Sequence, residues 1–120
     1  MSKRKQNMQR DYNIYLTDIL NSIEKIQGYM QNISYEEFKK NSLLTDAIVR
    51  NLEIIGEAVK QIPLEIKKEN PSLEWKKIAG FRDILIHSYF TIDLEIVWDI
   101  VKNKLPALRE AVEVMLQEKK

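Results

Sequence analysis

Apolar residues recur every three or four positions along nearly the whole chain. The first series is Tyr12, Tyr15, Leu16, Ile19, Leu20, Ile23, Ile26, Met30 and Ile33. On a helix of 3.6 residues per turn these positions make one stripe. The pattern predicts a long helix over about Arg10–Asn32, with residues 1–9 as a frayed basic terminus. Ser34-Tyr35-Glu36-Glu37 is a capping-box signature, a serine followed three residues on by a glutamate, and starts a short helical turn ending near Asn41. Ser42 can cap a second long helix, about Leu43–Ile62, in which Leu44, Ala47, Ile48, Leu52, Ile55, Val59 and Ile62 repeat the stripe. Pro63 ends it.

Residues 64–73 read as a connection, with one helical turn between Pro63 and Pro71. A third long helix is expected over about Glu74–Tyr89, with Ile78, Phe81 and Leu85 turned inward. Asp93 is placed to cap a helix running to about Lys104. Leu105-Pro106 then sets a proline in the first turn of a last helix, where its missing N–H is tolerated. No useful period-two run occurs, so the expectation is an all-α antiparallel bundle of four or five helices in a single domain over 1–120.

Composition narrows the function. The chain is 44% hydrophobic and 31% charged, with three glycines and three prolines, as in a globular helical protein. It has no cysteine and one histidine, which rules out a disulfide scaffold, a thiolate zinc site and a multi-histidine metal site within one subunit. No apolar run follows the basic opening MSKRKQN and none approaches the length of a membrane span, so a cytoplasmic protein with neither signal peptide nor membrane segment is expected. A net charge of +1 restricts any RNA contact to a local patch or cleft.

The polar groups concentrate at GFRDILIHSYF, residues 80–90. On a helix turning about 100° per residue, Tyr89 falls on the face of Arg82, and Asp83 and His87 form an i, i+4 pair. Ile86 sits in the middle of this polar arc, as if a second copy of the helix packed across it. A two-fold dimer would bring two arginines, two histidines and two tyrosines to one cleft. Imidazole transfers protons near neutral pH, and arginine binds phosphate through paired hydrogen bonds. Asp83 could hold one imidazole tautomer. Such a set could cleave RNA without a metal. The other reading of the same residues is a solvated or interface face of an amphipathic helix.

Arg82-Asp83-Ile84-Leu85-Ile86-His87 resembles the R-polar-x-x-x-H motif of the HEPN superfamily of small helical ribonuclease domains. With Ser88-Tyr89 it becomes RxxxxHxY, the form typical of HepT-like toxins. NLEIIGEAVKQIP (51–63) and WKKIAGFRDILIHSYFTIDLEIVWDIVKNKLPAL (75–108) are similar to the same family, so the likeness spans roughly residues 10–116. The resemblance implies a homodimeric, metal-independent RNase toxin with no cofactor. Its antitoxin would be an MNT-type nucleotidyltransferase that silences it by AMPylation. Carried over by residue, Arg82 and His87 are catalytic, Asp83 supports them, and Tyr89 accepts AMP. Two positions depart from the pattern: Asp83 stands where asparagine is common, and Glu74 where proline is. The competing readings are a non-catalytic subunit presenting a nucleotide or substrate to a nucleotidyltransferase, and a plain helical scaffold.

Other features carry two readings each. Arg50 and Glu57, seven apart on one helix face, either pair with Asp83 or Arg82 or form a solvated salt-bridge face. Trp75 and Trp98 serve the core or an interface, or stack on bases. Lys76 and Lys77 touch RNA or the acidic partner, or are solvated. Gly56 costs a helix about 1 kcal/mol against alanine. A close helix–helix approach would explain it, the dimer seam being one place for that.

Overall fold

Alternating long and short apolar stripes need partners, and the chain supplies them as helices folded back on one another. The structure is a computed structural model and describes residues 2–81, 83 and 92–118, with the side chains of those from 12 to 117. The helices are α1 (Ser2–Tyr29), α2 (Tyr35–Lys40), α3 (Ser42–Lys60), α4 (Leu64–Lys68), α5 (Trp75–Ala79), α6 (Leu94–Asp99) and α7 (Leu105–Glu118), with a π-helical turn over Ile100–Lys104 between the last two. Regular structure among the described residues is all helical, as the apolar spacing predicts. No helix among them is long and apolar enough to cross a membrane.

The core is the predicted stripe of α1 laid against the predicted stripe of α3 and a third one on α7. Leu16, Ile19, Ile23 and Ile26 of α1 are fully buried, as are Ile48, Leu52, Ile55 and Val59 of α3. Leu105, Leu108, Val112 and Met115 of α7 complete the layer, spaced by three and four. Tyr15 and Asp18 share a groove with the C-terminal half of α3, so the two helices run antiparallel. Arg109, in the first turns of α7, lies 3.9 Å from Glu24 and donates to Gln27 near the end of α1, which sets the same antiparallel sense.

Helix ends differ in places from the sequence expectation. α1 begins at Ser2 rather than Arg10; Lys3, Arg4, Lys5 and Gln6 are good helix formers and extend the helix without any stripe. It ends at Tyr29 rather than Asn32, because Asn32 takes the left-handed conformation (φ 61°) that stops a helix and that asparagine tolerates. The predicted capping box is formed: the Glu37 N–H donates to Ser34 Oγ and the Ser34 N–H to Glu37 Oε1, both at 3.1 Å. The cap of α3 is Asn41 and not Ser42, since Asn41 Oδ1 accepts from the Leu44 N–H at 3.0 Å while Ser42 is already helical. Two adjacent residues suited to capping leave that choice to the backbone.

Two corrections bear on function. The helix expected to run unbroken from Glu74 to Tyr89 closes after Ala79. Gly80 (φ −93°, ψ 18°) caps it, its N–H donating to the Lys76 carbonyl at 3.0 Å, and helical backbone resumes at Phe81 and Asp83. Glycine's low helix propensity makes it the place to break. The last helix does begin at Leu105, as its Leu105-Pro106 start predicts, but no break in the helical backbone precedes it. The wider turn over Ile100–Lys104 carries the chain through, the Leu105 N–H reaching back five residues to Ile100. A proline one residue later supplies no N–H and crowds the turn before it, and a π turn absorbs both effects.

Candidate functional site

In sequence the motif segment lies between two described stretches that are packed into the fold. On its upstream side Trp75, Ile78 and Phe81 are buried. The Trp75 indole N–H lies within hydrogen-bonding distance of the Lys67 (3.1 Å) and Asn70 (2.9 Å) carbonyls, which ties α5 to α4 and the loop after it. A side chain at Gly56 would stand 3.1 Å from the Ile78 carbonyl oxygen, 3.3 Å from that of Ala79 and 3.7 Å from Phe81 Cβ. The glycine therefore lets α3 touch the backbone that leads into the motif. This close helix–helix approach is made within the chain. On the downstream side Asp93 caps α6, Oδ1 accepting from the Ile96 N–H at 3.2 Å, as its sequence position predicts.

Arg82, His87 and Tyr89 lie outside the described residues. Asp83 is described: its side chain is exposed and makes no hydrogen bond or ion pair with the other described residues. The expected pairing of Arg50 or Glu57 with the motif is absent at Asp83. Glu57 pairs instead with Lys60 at 3.1 Å, and Arg50 is exposed with no ionic partner among the described residues.

Beside Phe81 lies a cavity of about 360 Å³. Leu73, Ile78, Phe81, Ile96 and Ile100 line its apolar part. At its rim Glu74 is held between Lys77 (2.8 Å) and Lys104 (3.4 Å). These two lysines keep the Glu74 carboxyl below the usual glutamate range, by hydrogen bonds first and charge second, and Glu74 in turn raises Lys77. Asn103 donates to Asp99 at 2.6 Å on the same rim. Lys77 is thus a bridge rather than a free cation, while Lys76 is exposed. Sequence reasoning missed Lys104, because thirty residues separate it from Glu74 and no local pattern links them.

The tryptophans have structural roles. Trp75 is buried, and Trp98 packs with Tyr35 (ring centroids 5.1 Å apart) and Phe38 (5.5 Å), with Lys102 Nζ 4.9 Å from its ring. Tyr35 and Phe38 come from α2, so this cluster fastens the short capped helix to α6. Among the described residues no group of three or more histidine, cysteine, aspartate or glutamate side chains is placed to hold a metal ion.

Comparison with known proteins agrees with this architecture. The profile of one family, described as Ribonuclease HepT-like, matches residues 19–115, which include the whole motif segment. "Putative RNase TTE0752" of Caldanaerobacter subterraneus subsp. tengcongensis is 43% identical over 106 residues, covering 88% of this chain and 95% of its own. "Probable ribonuclease HepT" of Thermococcus cleftensis is 40% identical over 102 residues, 85% of this chain and 93% of its own. "Gamma-glutamylcyclotransferase and putative RNase MJ0434" of Methanocaldococcus jannaschii is 40% identical over 111 residues. The match takes in 92% of this chain and spans half the length of that relative. No solved structure matches. The chain, all-helical and carrying RDILIHSY inside the matched region, belongs to the HepT-like ribonuclease family.

Proposed function

We propose that this chain is a ribonuclease of the HepT type, acting in the cytoplasm as the toxin of a type VII-like toxin–antitoxin pair. The observation that carries the reading is the sequence Arg82-Asp83-Ile84-Leu85-Ile86-His87-Ser88-Tyr89, complete and within the matched region. The 120 residues form one such domain, and two copies assemble so that Arg82 and His87 of both line one cleft. One imidazole takes the proton of a ribose 2′-hydroxyl as its oxygen attacks the adjacent phosphorus. The P–O5′ bond breaks, a second imidazole or water protonates the leaving oxygen, and a 2′,3′-cyclic phosphate remains. Arg82 stabilises the charge that grows on the phosphoryl oxygens. No metal is needed for these steps.

Asp83, exposed and without a partner among the described residues, is free to orient the imidazole. Regulation falls to Tyr89. An MNT-type nucleotidyltransferase would direct its phenol oxygen onto the α-phosphorus of ATP, with pyrophosphate leaving and AMP retained. The added phosphate would then compete with RNA for Arg82, and the adenosine would fill the cleft.

The test incubates purified protein and its His87→Ala form with total RNA in EDTA. Cleavage by the first, reduced at least about a hundredfold in the second, is the expected result. No cleavage by either, with nucleotide binding retained, would indicate the non-catalytic subunit of a nucleotidyltransferase complex instead. Co-expression with an adjacent MNT-like protein should add AMP-sized mass to Tyr89 and nothing to a Tyr89→Phe form.

A further inference from the structure

The cavity beside Phe81 is built from two stretches of chain. Ile96, Asp99, Ile100, Asn103, Lys104 and Ala107 line one side. Spaced by three and four, they form a single face that runs from α6 through the π turn into α7. Leu73, Glu74, Lys77, Ile78 and Phe81 line the other side. Ile78 and Phe81 are buried, and the close approach of Gly56 to both sets that wall against α3. The Glu74–Lys104 bridge, at 3.4 Å, ties the two sides together at the rim. Packed helices thus define the space.

The lining describes the group that fits. Its walls are aliphatic and aromatic, and its rim is polar. Lys77 and Lys104 are matched by Glu74 and Asp99, so the rim offers a phosphate or a free cation no net attraction. A volume of about 360 Å³ lies at the small end of the range for ligand sites, about 300–1,000 Å³, and suits one flat ring system. The Asn103 amide donates to Asp99, while its carbonyl oxygen has no hydrogen-bond partner among the described residues. That oxygen can accept from an amino group on the edge of a ring. A neutral flat ring with apolar faces and an amino edge is a nucleobase. Adenine, cytosine and guanine carry the amino group, and uracil does not. Position agrees with this chemistry: Phe81, one of the walls, is bonded directly to Arg82, the first residue of the motif.

We infer that this cavity is a base subsite, taking one unstacked, amino-bearing nucleobase of the RNA strand that the motif cuts. The ring lies among Phe81, Ile78 and Ile100, and its amino group donates to Asn103 Oδ1. Lys77 and Lys104, held by Glu74, leave the phosphate to Arg82. The inference rests on the nuclease of the proposed function and adds where its substrate is read. A purely apolar molecule is a poorer occupant, because it would cover the Asn103 carbonyl without giving it a donor.

The test follows the methyl groups of Leu73, Ile78, Ile96 and Ile100 by NMR on the full chain. AMP and CMP should shift them saturably, UMP should bind at least about threefold more weakly, and ribose 5-phosphate should leave them unmoved. Ala107→Trp, made at an exposed position on the cavity's edge, should weaken AMP and CMP at least about tenfold. Unmoved methyls of Ile19 and Leu52 in the core would show that this variant is folded. Asn103→Leu, also at an exposed position, should bring AMP and CMP down to the level of UMP and leave UMP unchanged. In cleavage, an oligoribonucleotide made abasic at each position in turn should lose at least about tenfold in kcat/KM at one position beside the cut, and Ala107→Trp should be indifferent to that loss. No shift with millimolar AMP and CMP, equal binding of UMP, or nucleotide binding unchanged in both variants would each overturn the inference. Binding and cleavage are separate readouts. Base-selective binding by a wild type that cuts no RNA would leave the subsite standing and remove the nuclease reading. Cleavage indifferent to every abasic position would do the reverse.

Discussion

The α1–α3 hairpin and the stretch from α5 to α7 use similar apolar residues in different ways. In the hairpin the stripes are continuous. Leu16, Ile19, Ile23 and Ile26 meet Ile48, Leu52, Ile55 and Val59 with no exposed surface on any of them. From α5 onward, among the described residues, the helical backbone is interrupted at Gly80 and widened across Ile100–Lys104. Ile100, Asn103 and Lys104 of the second line the cavity beside Phe81, and the first lies next to Phe81 in sequence, two residues before Arg82. Regular packing holds the chain together, and the irregular backbone across Ile100–Lys104 lines the cavity. Breaks and π turns are common near functional positions for this reason.

The contrast predicts unequal sensitivity. Leu16→Ala removes a fully buried side chain from the middle of the hairpin and should cost about 2–5 kcal/mol in urea denaturation, the largest effect in this set. Next is Gly56→Ala, at the joint between the two regions. Its new methyl would press on the Ile78 and Ala79 carbonyls at 3.1 and 3.3 Å, which are backbone atoms that cannot swing aside. Overpacking of about 1–3 kcal/mol outweighs the roughly 1 kcal/mol gained in helix propensity, so the variant should be less stable by about 1 kcal/mol. It should also lose RNA cleavage at temperatures where it is still folded, because Phe81 and the start of the motif would shift. Gly28→Ala in α1, with nothing within 4 Å, is the control and should gain up to about 1 kcal/mol with cleavage unchanged. Equal behaviour of the two glycine variants would remove the claim that Gly56 is a joint.

Much of this fold could be read from spacing. The stripes of α1 and α3, the capping box at Ser34–Glu37, the Asp93 cap and the short α4 all follow from residue type and period. Elements failed where two rules competed. Gly80 looked like one weak residue inside a long helical pattern, and only the carbonyl it caps reveals the break. Pro106 marked the start of the last helix, which does begin at Leu105, but nothing in residue type foretold the π turn that joins it to α6 without a break. The choice of Asn41 over Ser42 depends on backbone angles that neither residue type dictates. At the candidate site, the RxxxxHxY positions were legible as a motif because they are close in sequence. The Glu74–Lys104 bridge and the carbonyls facing Gly56 were not, since each joins elements far apart along the chain. Arg50 and Glu57 were visible as a pair on one face; neither reaches Asp83, Arg82 lies outside the described residues, and the exposed Glu57–Lys60 pair agrees with the reading of a solvated salt-bridge face.

Loss of the capping box is the next smaller test of the regular region. Ser34→Ala removes the acceptor for the Glu37 N–H and should cost about 1 kcal/mol, loosening α2 and the Tyr35–Phe38–Trp98 cluster that it carries. The smallest expected effect belongs to pH. The Ser34 backbone N–H, and then its hydroxyl, hold the Glu37 carboxyl below its ordinary 4.5. A carboxyl depressed on folding contributes stability that is fully present above its unfolded value and disappears as pH falls through the folded one. Glu74, depressed by Lys77 and Lys104, behaves the same way at the rim of the cavity. Both groups are exposed, so solvent screening keeps each contribution small. The wild type should therefore lose a little stability between about pH 5 and pH 3, and Glu37→Gln together with Glu74→Gln should flatten part of that slope. Urea midpoints measured across this range decide it: a slope unchanged by the double substitution would assign the acid sensitivity to other carboxylates and leave the two bridges as geometry without measurable linkage.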